Sequence, residues 1–404
     1  MRPLSTSPNA WPRSTDCLPE FPEPDRTGPL HILHIHSNFN AGGKELRSVK
    51  LINAFGKALE HTIVSSQPDA LSAASAIDRS IVVRCPQDFP PLVGKPLPGR
   101  LQRLAGAMRG YDLVLTYNWG AMDAAMAHTV FRDFLSLPPL VHHEDGFNED
   151  EAGGLKRSRN WYRRLALGRA SALVVPSRRL EAIALDAWQQ PPAKVRRIVN
   201  GIDTAAFAHK PKPDALPRII KQPGEKWLGT LAGLRPVKNL PRLVRAFSGL
   251  PDEWQLVILG EGPERDAIRA EALNLKIAHR VHLPGFFADP EKAIGLFDLF
   301  ALSSHSEQFP VSVVEAMAAG LAVVSPGVGD VADMVSPENR PYISSAGDEE
   351  AFAANIATLA HDNALREVVG TANRKRATAE YDQNAMVAAY RSVYAQALRK
   401  PRFP

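Results

Sequence analysis

The sequence predicts an α/β fold made of two doubly wound parallel sheets that face each other across a cleft. Probable strands and helices alternate along most of the chain, which is typical of parallel sheets with helices on both faces. A proline-rich stretch at 209–224 interrupts this alternation, which then starts again. The length of 404 residues agrees with two or three domains. We therefore expect two doubly wound domains joined by a linker.

The first part of the chain is expected to hold a leader and one domain. Residues 1–28 contain six prolines and little periodicity, which predicts a disordered leader. A domain is expected over 29–208, with strands at 31–36, 62–65, 81–84, 113–117, 140–143, 172–176 and 195–199. Apolar positions at helical spacing predict its helices at 45–59, 100–108, 121–131 and 178–187.

The second part of the chain repeats the alternation after the linker at 209–224. A domain is expected over 225–382, with strands at 227–232, 255–259, 281–283, 299–303 and 322–325. Helices are expected at 240–247, 264–272 and 291–296, and from residue 311 to the helix-ending Gly320. Further helices are expected over 349–398, the last of them within a terminal segment at 383–404.

Composition narrows the class of protein without identifying it. The net charge of +5 agrees with phosphate-bearing ligands, acidic membranes or nucleic acid, and selects none of them. No apolar run approaches the ~18 residues of a membrane span, and the N-terminus lacks the apolar core of a signal peptide. The cysteines Cys17 and Cys85 lie outside any metal-binding spacing, so we expect a reduced, cytoplasmic setting.

Two glutamates eight positions apart are the most informative feature of the chain. Glu307 lies in a turn marked by Phe309 and Pro310, whereas Glu315 lies within a short apolar helix. The turn and the helix lie between the predicted strands at 299–303 and 322–325, so the segment forms a βαβ unit. Ligands bind such sheets at the carboxyl ends of the strands. Both carboxylates are therefore expected to line one crevice.

The start of that helix adds a second binding feature. Exposed N–H groups from Val311 and Ser312 onward would face an anion in the crevice. Solvated surface glutamates and a hydrolase carboxylate pair are the alternative interpretations of Glu307 and Glu315. Because the helix is so apolar, it is expected to be buried, and its one carboxylate then needs a partner.

The motif Glu-x7-Glu, followed by Ala-Met-Ala-x-Gly and an apolar strand, resembles the retaining glycosyltransferases of family 4. The resemblance implies the GT-B fold, with two Rossmann-like domains facing across a cleft and a last helix that crosses back to the N-terminal domain. It implies that Glu307 contacts the sugar of a nucleotide-diphosphate sugar donor and that Glu315 holds the ribose. The family usually has Gly after the first glutamate, where this chain has Gln308.

Other residues of the second domain fit the donor by the same resemblance. Arg235 and Lys238 follow its first strand, and two cations at a strand end suit a diphosphate. The family's arginine commonly lies where this chain has Gly233, so Arg235 must act from a shifted position. Phe286 follows another strand, in the turn that lies beside the nucleobase in the family; a place in the core is the alternative.

Candidates in the first domain face the sugar and the acceptor. Gly42 and Gly43 lie between the first strand and its helix, where the family carries a glycine pair near the donor phosphates. A purely structural turn is the alternative. Other candidates follow later strands of this domain: Asn118, His143, Glu144 and Asp145. Asp145 occupies the place of the family's histidine, and we predict direct roles near the reacting carbon for His143 and Asp145.

The segment 156–169 contains six cations and no acidic residue. Together with Trp161, Tyr162 and Leu165 it resembles an amphipathic helix that can lie on an anionic membrane. A solvated basic face with its aromatic residues in the core is the alternative. No recognised nucleic-acid motif accompanies the charge, so we expect no nucleic-acid partner.

These observations predict a retaining glycosyltransferase that acts in bacterial polysaccharide or glycolipid synthesis, by resemblance to the family. Its partners would be a nucleotide-diphosphate sugar and a sugar or lipid-linked sugar acceptor, met at the inner face of the plasma membrane. The chain has no Asp-x-Asp, so we expect neither an essential metal nor another cofactor. A sugar-nucleotide epimerase of the same fold and a non-catalytic binding scaffold remain the alternatives.

Overall fold

The computed structural model describes residues 28–147, 151 and 154–404, so the predicted leader lies almost wholly outside the described residues. The first domain contains a parallel sheet of seven strands in the order β3-β2-β1-β4-β5-β6-β7. The strands are β1 (Leu30–His36), β2 (Leu59–Ser65), β3 (Val82–Arg84), β4 (Leu113–Tyr117), β5 (Leu140–His143), β6 (Ala172–Val175) and β7 (Val195–Arg197).

Helices cover both faces of this sheet because successive strand side chains point to opposite sides. Leu33 and Ile35 of β1 pack with the helices on one face, whereas Ile32 packs on the other. The helices are α1 (Gly43–Phe55), α2 (Pro98–Ala107), α3 (Met122–Leu135), α4 (Arg157–Ala166) and α5 (Arg178–Asp186).

The second domain contains a parallel sheet of six strands in the order β10-β9-β8-β11-β12-β13. The strands are β8 (Lys226–Leu231), β9 (Trp254–Leu259), β10 (Val281–Gly285), β11 (Leu299–Ala301), β12 (Val323–Pro326) and β13 (Ile343–Ser344). Its helices are α6 (Leu240–Phe247), α7 (Arg265–Asn274), α8 (Val311–Ala318), α9 (Val331–Met334), α10 (Glu349–His361) and α11 (Asn363–Glu380). Two parallel α/β units confirm the predicted fold class.

The last helix, α12 (Gln383–Leu398), follows the second domain but packs on the first. Tyr390 and Tyr394 are fully buried there among residues of β1, β4 and α1. The hydroxyl of Tyr394 lies 3.0 Å from Nε2 of His143 in β5. The packing of α12 thus ties the end of the chain to the first sheet.

Most predicted elements of the two domains agree with the observed ones to within a few residues. The predicted helix at 291–296 is wrong, because two short 3₁₀ turns stand there, Pro290–Lys292 and Ile294–Leu296. The short strand β13 and the short helix α9 were not predicted. Among the described residues, none of the helices combines the length with the hydropathy that a transmembrane span requires. The proposed domain boundaries stay predictions.

Six histidines of the first domain are at most 3% exposed, and four of them are His34, His36, His61 and His143. Nε2 of His34 lies 3.0 Å from Nδ1 of His61, and neither ring nitrogen of His36 has a partner within the described residues. Burial lowers all four pKa values, that of His61 to about 4 and that of His143 to about 3. The folded domain therefore holds these rings neutral.

Acid should destabilise the protein below about pH 6.5. Below this pH the histidines bind protons in the unfolded chain but stay neutral in the folded protein. The free energy of unfolding therefore falls by about 1 kcal/mol per histidine for each pH unit. Urea unfolding between pH 7 and pH 5 measures this slope. His36→Phe should reduce the pH dependence of the free energy of unfolding by the contribution of one histidine. His279→Asn, which changes an exposed histidine, should leave this pH dependence unchanged. Equal stability of the wild type across this range would contradict the prediction.

Candidate active site

The loops that follow β8 and β11 meet at one edge of the second sheet because these two strands are neighbours. There Nζ of Lys238 lies 2.5 Å from Oε1 of Glu307. The hydroxyl of Ser304 donates to the same oxygen at 2.6 Å. The hydroxyl of Ser303 donates to the carbonyl of Lys238 at 2.8 Å, which joins the two loops. The structure thus brings together two of the predicted donor residues.

Glu315 lies on the second turn of α8 and differs from Glu307 in having no hydrogen-bond partner within the described part of the chain. Burial raises its pKa from the usual 4.5 to about 7, Lys50 opposes this shift, and Glu291 adds to it. Lys50 lies on α1 of the first domain, so its charge acts on Glu315 from the other side of the cleft. No motif of the sequence pointed to Lys50.

The start of α8 is fixed by an apolar turn. Phe309 is 8% exposed and packs edge-on against Tyr381, with ring centroids 5.7 Å apart. Pro310 precedes the helix, whose first residues Val311 and Ser312 are partly exposed. The first N–H groups of a helix have no intrahelical acceptor and carry a partial positive charge. An anion in the crevice can therefore approach this helix start.

Arg235 and Phe286 lie on the outer part of this edge. The side chain of Arg235 is exposed and passes beside Gly233. Phe286 follows β10 with 67% of its side chain exposed, and Gly285 before it has φ +109°. These two side chains are open to solvent, which leaves both able to meet a ligand. Phe286 does not lie in the core.

In the first domain, Asp145 is held by a polar network at the ends of β4 and β5. Arg47 of α1 forms an ion pair with Asp145 and donates to Oδ1 of Asn200 at 3.0 Å. The N–H of Asp145 donates to Oδ1 of Asn118 at 2.7 Å. Burial alone would raise the pKa of Asp145, but the charge of Arg47 outweighs it and the pKa lies below its usual range. This carboxylate is therefore ionised and already paired.

The glycine pair lies immediately beside this network. Gly42 precedes α1 and Gly43 is its first residue. A side chain on Gly42 would come within 2.8 Å of Oε2 of Glu45, which folds back over the loop. Glu45 is 3% exposed, and its Oε1 lies 3.3 Å from Nζ of Lys44. A side chain at position 42 would therefore require the carboxylate of Glu45 to move.

His143 and Glu144 do not face the cleft, which corrects the prediction that they contact substrate. His143 is 1% exposed, and its ring nitrogens lie beside the carbonyl of Thr116 and the hydroxyl of Tyr394. Glu144 is fully buried, and its Oε2 lies 3.5 Å from Nε of Arg163. His143 is enclosed by α12 on one face of the sheet, whereas Glu144 is enclosed by α4 on the other. Neither can reach a substrate without rearrangement.

The basic segment divides into a buried and an exposed part. Arg163 is fully buried, with its guanidinium over the rings of Trp119, Phe147 and Trp188. It also pairs with Glu151 at 3.0 Å. Trp161, by contrast, is 63% exposed. One of the six cations of the predicted amphipathic segment therefore belongs to the core and is not available to a membrane surface.

Comparisons with known proteins agree with this geometry. Residues 41–206 match the family model described as Glycosyltransferase Family 4. Residues 213–376 match the model described as Glycosyl transferases group 1. The solved structure of HepE from Anabaena in complex with UDP superposes with a TM-score of 0.75 at 19% identity, covering 91% of this chain and 100% of that one. This likeness shows the GT-B fold.

Curated relatives are similar over part of their length. N-acetyl-α-D-glucosaminyl L-malate synthase from Bacillus anthracis is 25% identical over 212 residues, or 52% of this chain and 56% of that protein. GDP-mannose-dependent α-mannosyltransferase from Mycolicibacterium smegmatis is 28% identical over 260 residues, or 62% of this chain and 65% of that protein. The match thus spans less than two thirds of either relative. With both of its domains matched by glycosyltransferase models, the chain belongs to glycosyltransferase family 4.

Proposed function

We propose that this protein transfers a sugar from a nucleotide-diphosphate sugar to a hydroxyl acceptor, with retention of the anomeric configuration. The observation that carries the proposal is the pairing of Lys238 with Glu307 beside the unpartnered Glu315. We assign the reaction to bacterial polysaccharide or glycolipid synthesis, in keeping with the family. One relative is named for its dependence on GDP-mannose and a structural neighbour binds UDP, so the base stays open.

The donor diphosphate would take over the cation that now neutralises Glu307. Lys238 is 17% exposed, and a phosphate oxygen can replace Glu307 as its partner. Arg235 can reach the same group, since its side chain is exposed. The start of α8 adds N–H groups and a helix dipole. These positive groups offset the charge of the leaving diphosphate, and we propose that they do so without an essential metal.

The released carboxylate of Glu307 would then accept hydrogen bonds from hydroxyls of the donor sugar. Ser304, which donates to Glu307 at 2.6 Å, keeps this carboxylate in place when Lys238 turns to the phosphate. Glu315 would accept from the two ribose hydroxyls, which supply the partners that its carboxylate lacks. Gly42 and Gly43 would let the first domain approach the phosphates closely.

Transfer with retention breaks the bond between the anomeric carbon and the diphosphate oxygen. The acceptor oxygen bonds to that carbon from the same face, and its proton passes to the leaving phosphate. No protein base is needed in this scheme, which agrees with the burial of His143 and the engagement of Asp145 by Arg47. The protein contributes by orienting both substrates and by stabilising the phosphate charge.

We also propose that the first domain rests on an anionic membrane at the inner face of the plasma membrane. Four large apolar side chains are exposed on the adjacent helices α3 and α4: Val130, Phe134, Trp161 and Leu165. The two helices are joined by a hydrogen bond of 2.6 Å from the hydroxyl of Thr129 to the carbonyl of Ala166. The exposed cations Arg157 and Arg164 lie on α4 as well. Exposed apolar groups beside cations suit the interface of an anionic bilayer.

Glu307→Gln should lower transfer about 100-fold while leaving nucleotide affinity within about threefold, because the amide keeps the size but loses the charge that orients the sugar. The measurement is turnover with UDP-, GDP- and ADP-sugars, with the anomeric form of the product read by NMR. Glu271→Gln, a glutamate paired with Arg245 on the same domain, is the matched control. Unchanged turnover would remove the role of Glu307, and an inverted product would refute retention.

Glu315→Gln should raise the melting temperature of the free protein at pH 8 and abolish its stabilisation by nucleotide. A carboxylate whose folded pKa is raised to about 7 destabilises the folded state increasingly as pH rises from 4.5 to 7. The neutral amide removes that destabilisation, worth about 2 kcal/mol after allowance for its partial exposure. Thermal unfolding at pH 5 and pH 8, with and without nucleotide, tests both effects.

The same pKa predicts that the wild type binds nucleotide more tightly as pH rises through 7, since the ionised carboxylate is the better acceptor. In Glu315→Gln this rise should be absent. If the variant kept full nucleotide stabilisation, the assignment of Glu315 to the ribose would be wrong.

Trp161→Ser with Leu165→Ser should reduce binding to vesicles that contain about a third anionic lipid by about tenfold. The control removes Leu273 and Val368 in the same way, since these are 65% and 60% exposed on the second domain. Vesicle co-sedimentation at low and high salt measures the effect. Equal binding of both double variants would exclude this surface as the docking site.

A further inference from the structure

A carboxylate of the second domain caps a helix of the first. Asp330 follows β12 and is 8% exposed. Its side chain accepts from the backbone N–H of Arg178 at 2.5 Å and from that of Arg179 at 3.2 Å. Both N–H groups belong to the first turn of α5, where Ser177 caps the N–H of Leu180 at 3.0 Å. The contact therefore crosses between the domains.

The physical basis of this contact is that the first N–H groups of a helix lack intrahelical acceptors and attract a negative charge. When the domains are together, the carboxylate satisfies two of these groups out of contact with most water. When they separate, both sides must be hydrated. The contact thus favours the arrangement in which the two domains face each other closely.

The same residue supports the turn that carries Glu307. The N–H of Asp330 donates to the carbonyl of Gln308 at 3.1 Å. Gly329 has φ +56°, and a side chain there would come within 2.6 Å of the carbonyl oxygens of Glu307 and Gln308. The turn that contains Glu307 and Gln308 is therefore in direct contact with the backbone of Gly329 and Asp330.

Gln308 completes the connection from the other side of the turn. Gly146 belongs to the first domain, and a Cβ atom added to it would lie 3.3 Å from the Cγ atom of Gln308. The glutamate turn is thus in contact with the first domain through Gln308 and is supported from behind by the residue that caps α5.

We propose that Asp330 is a positioning residue, which places the Glu307 turn correctly only when the two domains are closed on each other. The inference rests on the proposed function, because Glu307 is taken to orient the donor sugar. Asp330 touches no substrate in this account. It acts through α5 on the domain arrangement and through Gln308 on the turn.

Asp330→Asn tests the proposal, since the amide keeps the size but loses the charge that the helix start attracts. We expect turnover to fall about tenfold through kcat, with nucleotide affinity nearly unchanged because the side chains assigned to the ribose and the diphosphate lie on the second domain. Small-angle scattering with nucleotide should give a larger radius of gyration than for the wild type. Asp333→Asn, an exposed aspartate on α9, which begins directly after Asp330, is the matched control.

A second pair of variants approaches the contact from the first domain. Arg178→Pro removes one N–H donor at the first helical position, where proline is tolerated and where Ser177 before it is already extended at φ −128° and ψ 154°. Arg178→Ala keeps that N–H and loses only the side chain. We expect Arg178→Pro to reproduce Asp330→Asn, Arg178→Ala to match the wild type, and the combined variant to be no worse than Asp330→Asn.

Three results would overturn the proposal. The first is full kcat in both Asp330→Asn and Arg178→Pro. The second is a loss of nucleotide affinity that equals the loss of kcat, because a merely structural role predicts this. The third is unchanged scattering in both variants. If the wild type transferred no sugar, the proposed function would fail by itself, while the scattering would still decide the domain contact.

Discussion

The ion pair between Lys238 and Glu307 is the interaction on which the organisation of the site depends. It exists because β8 and β11 are neighbours in a parallel sheet, so that the loops after both strands leave the sheet at one edge. In the free protein each charge neutralises the other in a partly buried place. In the proposed function, a diphosphate sugar would offer a phosphate to Lys238 and hydroxyls to Glu307, so that binding would exchange partners and leave neither charge unpaired.

Glu315 differs from Glu307, which is paired with Lys238. It has no partner within the described residues, and its raised pKa records the energetic penalty of that isolation. Glu315 is partly buried and has no partner in the described part of the free protein, so hydrogen bonds from ligand hydroxyls would add to the free energy of binding. In the proposed function, Glu307 would exchange a partner and Glu315 would gain one. This difference explains how one short segment can serve both the sugar and the nucleotide.

The sequence predicted the second domain more accurately than the surroundings of the first-domain candidates. Lys238 and Glu307 could be placed together because strand, loop and helix boundaries around them are marked by local signals such as Pro310 and Gly320. The burial of His143 could not be foreseen, because it is completed by Tyr394, which lies 251 positions away and returns on α12. Arg163 was assigned to a surface segment for a similar reason. Its enclosure by Trp119, Phe147 and Trp188 is set by tertiary packing, which a local charge pattern does not contain.

Within the part of the chain that the structure describes, the charged groups that were predicted to line the cleft are paired in the first domain but partly unpaired in the second. In the first domain, Arg47, Asn118 and Asn200 tie Asp145 into a satisfied network that already fixes the loop ends. In the second domain, Glu315 and the start of α8 are left without such partners among the described residues. In the proposed function, the donor would therefore bind to the second domain first. The first domain, in which Asp145 is already paired, would then shape the acceptor site without competing for the phosphate. The groups proposed to offset the charge of the leaving diphosphate, which are Lys238, Arg235 and the start of α8, would all act from the second domain.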